Sequence, residues 1–355
     1  MIHMTSHLPI FIVLSCSGSL FAEFPQAKLD EWLKRYPEAD TNKDGKLTTA
    51  EVNDFREKRQ SQRQKNAQKP RAKRIQPDLA NVKYGPHERH VLDLWKAKSD
   101  ESTPLAVYIH GGGFKGGDKK TISSSTMQYL LDHGISVAAI HYRLTENGKH
   151  PFPIPMLDGA RAIQFMRSKA KDWNLNKRIA CFGGSAGACM SMWLAFHDDM
   201  ADPNNEDPVL RESTRITCAG PNAGQSSLSR PVLLEWFGVK SLIEHPAMRP
   251  LFGVGPDDDP YAPKFLKLMT EASPITYLTE DDPPLYMTYR LGNVPVDEKS
   301  NPNLWVHHPM LGIKLKEAMD KLGLECIVQY KGSTEKSVYA NQNEFMVKKL
   351  KRDEK

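Results

Sequence analysis

The 355-residue sequence lacks several features that would place a protein in a particular class. It has no run of 18 or more apolar residues, so it predicts no membrane-spanning helix. Its five cysteines show no C-x-x-C pair, and the four after Cys16 lie in apolar segments typical of buried thiols. Hydrophobic residues make up 39% of the chain, enough for a buried core, which excludes wholesale disorder, collagen and coiled coil.

The net charge of +5 has a local origin. Nine basic residues and a single acid, Glu57, lie between Arg56 and Arg74. A basic run can bind nucleic acid, but this one contains no aromatic residue to stack on a base and is rich in Gln and Asn. We interpret it as the solvated end of a helix that leads into a basic linker over residues 61–80, and we predict no nucleic-acid partner.

The first 22 residues have the pattern of a signal peptide. A short apolar run at residues 8–14 is followed by small residues, which predicts cleavage after Ala22 and a secreted or periplasmic protein. The segment before the run contains no Lys or Arg, so a buried N-terminal strand remains an alternative. A lipid anchor at Cys16 is a further alternative, because residues 13–16 resemble a lipoprotein processing site.

Residues 40–51 read D-T-N-K-D-G-K-L-T-T-A-E and match the D-x-[DN]-x-[DN]-G-x₅-E calcium-loop pattern at every defined position. Apolar residues at helical spacing flank the loop on both sides, so residues 23–60 are predicted to form a single EF-hand. Ca²⁺ binds six to eight oxygen atoms, which this spacing supplies. The predicted ligands are Asp40, Asn42, Asp44, the carbonyl of Lys46, and Glu51. A plain Asp/Asn/Gly turn is the alternative.

From Val82 onward, short apolar strands alternate with helical segments. This alternation predicts an α/β fold, in which helices cover both faces of a mostly parallel sheet. A stretch rich in Pro and Asp, residues 226–282, interrupts the alternation and is predicted to form a lid or cap. The predicted strands are 91–95, 105–109, 137–140, 179–182, 216–219, 285–289 and 326–330, and the predicted helices are 123–133, 157–169 and 311–322.

Two glycine-rich motifs carry the predicted chemistry. Gly183-Gly184-Ser185-Ala186-Gly187 lies between a strand and a helix, which is the context of a G-x-S-x-G nucleophile elbow. His110-Gly111-Gly112-Gly113 also follows a strand, and its backbone N–H groups can point at a developing oxyanion. We predict Ser185 as the nucleophile and the N–H groups of Gly112, Gly113 and Ala186 as oxyanion donors. A phosphate-binding loop is the alternative for the second motif, although no Gly-Lys-Ser/Thr follows it.

With these motifs, residues 81–355 resemble the α/β-hydrolase fold, specifically the esterase/lipase group with an HGGG oxyanion motif. That group includes hormone-sensitive-lipase-like and bacterial feruloyl-esterase-like enzymes. Tyr142-Arg143-Leu144, Pro151-Phe152-Pro153 and Asp158 are similar to the stretch between oxyanion loop and elbow in this group. The resemblance implies hydrolysis of carboxylic esters through an acyl-serine, without a cofactor for the catalysis, and a histidine at position 110 that orients the oxyanion loop.

The sequence departs from this group in the residues that should activate the serine. The resemblance places an acid directly after strand 285–289, where this chain has Asn293, and Asp297 is the nearest carboxylate downstream. It places a histidine after the last strand, yet residues 331–355 contain none. His307 and His308 follow the acid loop, and we predict His308 as the base and Asp297 as the acid. An ordinary helix entry by His-His-Pro is the alternative.

Three functions are therefore compatible with the sequence. The first is a secreted serine esterase with a displaced histidine, which acts on a small-molecule or polysaccharide-linked ester and carries a structural Ca²⁺. The second is an inactive hydrolase fold that serves as a calcium-dependent binding module. The third is a residual hydrolase with a Ser-Lys-type or water-mediated base. The sequence does not distinguish the acyl group, the alcohol or the oligomeric state.

Overall fold

A computed structural model of the chain describes residues 24–68 and 75–351. The chain divides into two compact units, Met1–Arg74 and Ile75–Lys355. The predicted signal peptide, residues 1–22, lies outside the described residues. Within the described ranges, no helix is both long and apolar enough to cross a bilayer.

The first unit is a pair of helices around a loop. Helix α1 spans Gln26–Arg35, a 3₁₀ turn covers Pro37–Ala39, and helix α2 spans Thr49–Gln68. Leu29 of α1, Val52 of α2 and Leu47 of the loop are buried together, which is the arrangement expected of the predicted helix–loop–helix. Helix α2 continues eight residues beyond the predicted boundary at residue 60, because residues 61–68 contain only residues with good or moderate helix propensity and no Gly or Pro.

The second unit is built on a single sheet. Among the described residues, eight strands lie in the order β1-β2-β4-β3-β5-β6-β7-β8. Strands β1, β2 and β4 pair antiparallel, and every pairing from β4 across to β8 is parallel. The strands are β1 Leu79–Lys83, β2 Val91–Trp95, β3 Thr103–Ile109, β4 Ser136–Ile140, β5 Leu175–Gly184, β6 Cys218–Asn222, β7 Leu285–Gly292 and β8 Cys326–Lys331. Because β1 begins at Leu79, the predicted boundary between linker and hydrolase domain falls inside a strand.

Helices cover both faces of this sheet. All five residues of β4 are buried, and alternate side chains enter different cores: Ala138 and Ile140 join one apolar cluster, and Val137 and Ala139 join the other. The helices of this unit are α3 Ser124–Asp132, α4 Ile154–Ser168, α5 Ala170–Trp173, α6 Ala186–Phe196, α7 Arg230–Phe237, α8 Met248–Phe252, α9 Pro263–Glu271, α10 Pro302–Val306, α11 Met310–Lys321 and α12 Gln342–Lys351.

The parallel strands bring both glycine-rich motifs to one edge of the sheet. Ile109, the last residue of β3, pairs with Gly183 of β5, and Gly184 pairs with Asn222 of β6. The segments that follow β3 and β5 are therefore neighbours at the carboxyl edge, where ligands bind in α/β folds. Helices α7, α8 and α9 lie between β6 and β7, in the stretch predicted to form a cap.

Candidate active site

Ser185 occupies the turn between β5 and α6 in a conformation that side-chain-bearing residues rarely adopt, with φ 52° and ψ −119°. The turn is tight against the preceding strand. A Cβ atom would lie 2.1 Å from the Ile109 carbonyl oxygen if added to Gly183, and 2.0 Å from it if added to Gly187. Both positions therefore require glycine. The Ser185 N–H donates to the Asn222 carbonyl (2.9 Å), so the bend holds the serine at the tip of the sheet, as the elbow motif predicts.

His307 is the imidazole beside the serine. Its Nε2 lies 2.9 Å from Ser185 Oγ, and its Nδ1 lies 3.1 Å from the backbone carbonyl oxygen of Asn303. A carbonyl oxygen can only accept a hydrogen bond, so Nδ1 carries the proton. Nε2 is then left as the acceptor for the serine hydroxyl. This is the tautomer that a general base for serine requires.

The structure places neither of the predicted partners at the serine. His308 is 1% exposed, and its Nε2 donates to the Val294 carbonyl (2.8 Å) inside the fold. Asp297 is exposed and accepts hydrogen bonds from the Lys299 N–H and the Ser300 hydroxyl, which close a turn. Adjacent residues at a helix entry point in different directions, so of the two histidines only His307 faces the elbow. The structure thus brings His307, and not the predicted His308, to the serine, and it places the predicted acid Asp297 in a surface turn away from it.

In the part of the chain that the structure describes, no carboxylate takes the place of the predicted acid. Within the described ranges, no Asp or Glu side chain hydrogen-bonds or forms an ion pair with His307, and Asn293, at the family's acid position, is exposed. Burial lowers the pKa of His307 below its ordinary value, and the hydrogen bond to the Asn303 carbonyl only partly opposes this shift. The ring is therefore neutral, and able to accept a proton, at pH 7.

The HGGG loop lies directly against the elbow. A Cβ on Gly111 would be 2.5 Å from the Gly184 carbonyl oxygen and 3.5 Å from the Ser185 Cβ. Gly112 has φ 111°, and a Cβ there would be 2.4 Å from the Gly116 carbonyl oxygen. In the part of the chain that the structure describes, no partner accepts a hydrogen bond from the three predicted oxyanion donors, the backbone N–H groups of Gly112, Gly113 and Ala186. These donors remain available to a bound oxyanion.

His110 stabilises the oxyanion loop through ring stacking and a hydrogen bond. The ring is buried and stacks on Tyr142 with a centroid distance of 4.4 Å. Its Nδ1–H donates to the Gly111 carbonyl (2.9 Å), and Arg89 Nη2 donates to its Nε2 (3.3 Å). Burial lowers the pKa of His110 to about 4. A neutral ring with both nitrogens engaged cannot take the serine proton, which fits the orienting role implied by the resemblance.

Arg143 and Asp158, two residues of the motif, form an ion pair at the same edge in which the carboxylate is buried and the guanidinium is partly exposed. Arg143 Nη2 lies 2.5 Å from Asp158 Oδ1, and His90 Nε2 lies 3.0 Å from the same oxygen. Burial alone would raise the pKa of Asp158, but the His90 ring 3.0 Å away and the hydrogen bonds from Arg143 outweigh burial and lower that pKa. The pair joins the segment after β4 to helix α4, and so it fixes the chain that leads from the oxyanion loop to the elbow.

Sequence reasoning missed two groups that shape the site. Asn303 acts through its backbone carbonyl, which every residue possesses, so no residue type marks it. Asn222 likewise acts through its carbonyl, which holds the Ser185 N–H. The sequence feature that could indicate the base is the His307-His308 pair, because both imidazoles lie within reach of this sheet edge.

Curated enzymes of known sequence are similar to this chain. The probable carboxylic ester hydrolase LipM of Mycobacterium tuberculosis is 26% identical over 235 residues, which are 63% of this chain and 51% of LipM. Esterase LipI of the same organism is 30% identical over 93 residues, which are 26% of this chain and 28% of LipI. The chain thus spans about half or less of the length of these relatives.

Solved structures share the fold. An acetyl ester-xyloside bifunctional hydrolase from Caldicellulosiruptor lactoaceticus superposes with a TM-score of 0.52 at 22% identity, over 68% of this chain and 76% of that one. A propionate-bound esterase from Thermogutta terrifontis gives 0.51 at 19% identity, over 71% and 82%. A family model described as BD-FAE matches residues 92–290, more than half of the chain. The chain therefore belongs to the BD-FAE family of carboxylesterases, whose fold is that of the α/β-hydrolases.

Proposed function

We propose that the protein is a secreted serine carboxylic-ester hydrolase that acts through an acyl-serine at Ser185. The observation that carries the proposal is the 2.9 Å contact between Ser185 Oγ and His307 Nε2, at an elbow beside unoccupied backbone donors. A nucleophile, a base in hydrogen-bond reach and an oxyanion site are the three parts that acyl transfer needs. The names of the curated relatives support the same reaction class.

We assign each proton transfer to His307, on the basis of its contact with Ser185. Its Nε2 takes the Oγ proton as the serine oxygen attacks the ester carbonyl, and the resulting oxyanion accepts hydrogen bonds from Gly112, Gly113 and Ala186. The imidazolium then protonates the leaving alcohol, and the acyl-serine remains. In the second half, His307 removes a proton from water, the hydroxide attacks the acyl carbon, and the same proton returns to Ser185 as the carboxylic acid leaves.

The Asn303 backbone carbonyl performs part of the role that the acid has in a complete triad. In the serine-protease triad, an amide in place of the aspartate stabilises the wrong histidine tautomer, and kcat falls about 10⁴-fold. The Asn303 carbonyl avoids that loss because it keeps the proton on Nδ1. It carries only a dipole, so it stabilises the imidazolium less than a carboxylate would. We therefore expect turnover that is real but slower than that of a complete triad.

We further propose that the substrate is an ester of a small acid. The Ala247 side chain lies near the oxyanion loop, 3.0 Å from where a Cβ on Gly113 would be. Two structural neighbours are an acetyl ester-xyloside hydrolase and a propionate-bound esterase. We extend the proposal to short acyl esters of carbohydrates, either small molecules or groups on a polysaccharide.

Covalent labelling tests the proposal and excludes the alternative of an inactive binding module. A fluorophosphonate probe should attach to Ser185, as located by peptide mass spectrometry, and Ser185→Ala should take up none. Because the pKa of His307 is lowered, its neutral form persists below pH 6.5, so the labelling rate should fall with an apparent pKa below that value. Absence of labelling and of short-chain ester turnover in the folded protein would establish the binding module instead.

We further propose that the 40–51 loop binds a structural Ca²⁺. Asp40 Oδ1 is buried without a hydrogen-bond partner, which is the condition of an oxygen that awaits a cation. Asn42, Asp44 and the Lys46 carbonyl would supply further oxygens, and Glu51 would close the site. In the described ranges, no three His, Cys, Asp or Glu side chains are placed to hold a metal ion together, so the carboxylates of Asp40, Asp44 and Glu51 would have to move closer to one another for Ca²⁺ to bind.

Glu51 already holds the two ends of this loop together. Its carboxylate accepts hydrogen bonds from the backbone and hydroxyl of Thr48 and of Thr41, and these bonds lower its pKa to about 2. It is therefore ionised at every physiological pH, as a calcium ligand must be.

Calcium should stabilise the first unit. With a dissociation constant of ~10⁻⁴–10⁻³ M, 10 mM Ca²⁺ adds about 1.4–2.7 kcal/mol to the free energy of unfolding. Calorimetry in Ca²⁺ and in EGTA should show this gain for the wild type and for Glu57→Gln, an exposed control on α2, and no gain for Glu51→Gln. Superimposable melting curves of the wild type in both buffers would remove the calcium proposal.

A further inference from the structure

The base is carried by a short element outside the sheet. His307 is the C-terminal cap of α10, a helix of only five residues. The last four carbonyl groups of a helix have no intrahelical partner, so a helix of this length cannot fix its own end by internal hydrogen bonds. The carbonyl of Val306, its last residue, directly precedes His307. The position of the imidazole therefore depends on what binds this carbonyl.

The buried side chain of Gln225 binds the end of α10. Its Nε2 donates to the Val306 carbonyl (2.5 Å) and to the Ala223 carbonyl (3.0 Å), and the residue is 6% exposed. A carbonyl oxygen can only accept a hydrogen bond, and the amide nitrogen carries two hydrogens, one for each partner. The Gln225 amide therefore bridges the end of α10 and the turn that follows β6.

The turn after β6 also supports the nucleophile. Ala223 directly follows Asn222, whose carbonyl accepts the Ser185 N–H. Ala223 has φ 49°, a left-handed conformation that a residue with a side chain keeps only where its surroundings fix it. Its N–H donates to the Thr288 carbonyl of β7 (2.7 Å). The turn is thus a fixed support on the sheet, and one end of the Gln225 bridge rests on it.

Neighbouring hydrogen bonds fix the backbone from which the Gln225 side chain extends. Before it, the Gly224 carbonyl accepts the Tyr289 hydroxyl (2.8 Å). After it, the Ser226 hydroxyl donates to the Leu311 carbonyl of α11 (2.6 Å). Because the chain is bound on both sides, the amide of Gln225 has a defined place relative to the sheet.

We propose that Gln225 is a positioning residue for the esterase: its bridge between the turn after β6 and the end of α10 places the His307 ring against the Ser185 hydroxyl. The inference rests on the function proposed above and adds a residue to it. Hydrogen bonds and chain links form a closed circuit, which runs through Ser185, Asn222, Ala223, Gln225, Val306 and His307 and back to Ser185.

The need for such a residue follows from the source of the other contacts. The Asn303 carbonyl that binds His307 Nδ1 belongs to α10 itself, so it orients the ring within the helix but does not place the helix. Trp305 Nε1 donates to the Ile243 carbonyl (2.9 Å), which lies in the inserted segment. A carboxylate on the loop after β7 would hold the ring from the sheet. In its place, Gln225 links α10 to the sheet, and a displacement of ~1 Å can cost about 10²-fold in rate.

A double-mutant cycle with His307 tests the assignment. Gln225→Met keeps the length of the side chain and removes both donors. We expect it to lower kcat for a short-chain aryl ester by about 10–100-fold with KM nearly unchanged, and to cause no further loss in the His307→Ala background. A residue that acts only through the imidazole has no effect once the imidazole is gone. A residue that merely supports the fold would lower the rate by the same factor in both backgrounds.

Gln164→Met is the matched control. Gln164 of α4 is 2% exposed, and its Nε2 also donates to two backbone carbonyls, those of Leu210 (3.2 Å) and Glu212 (2.9 Å). Its replacement should lower the melting temperature, as Gln225→Met does, because both remove a buried amide from two carbonyls. The kcat of folded Gln164→Met should match that of the wild type.

Three results would overturn the assignment: wild-type kcat in folded Gln225→Met, equal losses in both His307 backgrounds, or the same loss of kcat in Gln164→Met. If Gln225→Met does not fold, Gln225→Asn enters the same cycle with the same criteria. Its amide keeps both hydrogens but is one methylene too short to bridge the two carbonyls. Wild-type turnover in His307→Ala would instead refute the proposed function, whereas wild-type kcat in Gln225→Met overturns this inference alone.

Discussion

Replacing His307 by alanine should reduce kcat/KM for a short-chain aryl ester by about 10²–10⁴-fold, the contribution of a positioned general base. Among the described residues, the Ser185 hydroxyl loses its only imidazole partner, because His308 contacts the Val294 carbonyl and His110 the oxyanion loop. Most of the loss should appear in kcat, since the base acts on the transition state. Steady-state rates over a range of substrate concentrations measure both constants.

Two comparison variants make this result specific. Asp297→Asn should leave kcat/KM unchanged, because that carboxylate only closes a surface turn. His308→Ala should lower the melting temperature, since it removes a buried side chain, while the folded fraction keeps its activity. If His308→Ala or Asp297→Asn removed turnover while His307→Ala retained it, the original prediction from sequence would stand and the geometric assignment would fall.

The parts of the fold that follow from periodicity were predicted closely. The predicted strand 285–289 corresponds to β7 Leu285–Gly292, and the predicted helix 311–322 to α11 Met310–Lys321. These segments have strong apolar patterns, and their burial in the sheet layers is what such patterns encode. Helix α12 was missed, although Phe345, Met346 and Leu350 are buried, because lysines in its last turn weaken the average pattern.

The nucleophile and oxyanion loop were also accessible from sequence, whereas the base was not. Gly183 and Gly187 are required by contacts of about 2 Å to a neighbouring strand, so the elbow leaves a signature in residue type. The choice between His307 and His308 depends on the direction in which a one-turn helix ends, and that direction is set by tertiary contacts such as Trp305 to Ile243. Because the two residues are adjacent and identical, the sequence does not indicate which of them faces Ser185.

The second large effect concerns stability. Asp158→Asn should lower the free energy of unfolding of the second unit by about 3 kcal/mol, as expected when one partner of a buried ion pair is lost. The Asp158 side chain is 2% exposed, and its replacement by Asn removes the negative charge that pairs with Arg143 and substitutes an NH₂ donor for one of the two acceptor oxygens. Loss of one partner of a buried pair typically costs about 3–5 kcal/mol. We expect the lower value because the Arg143 side chain is 28% exposed and can still be hydrated. Urea unfolding followed by tryptophan fluorescence measures the loss.

Asp207→Asn is the matched control for this variant. Asp207 pairs with Arg161 at 2.7 Å, but the two side chains are 35% and 21% exposed, so its loss should cost only about 0–1 kcal/mol. The pKa of Asp158 is lowered in the fold, so its contribution is present above the unfolded value near ~3.9 and is lost as the pH falls further. The stability difference between the wild type and Asp158→Asn should therefore shrink below about pH 4. Equal losses for the two Asp→Asn variants at pH 7 would show that the Asp158 pair does not hold this edge of the sheet.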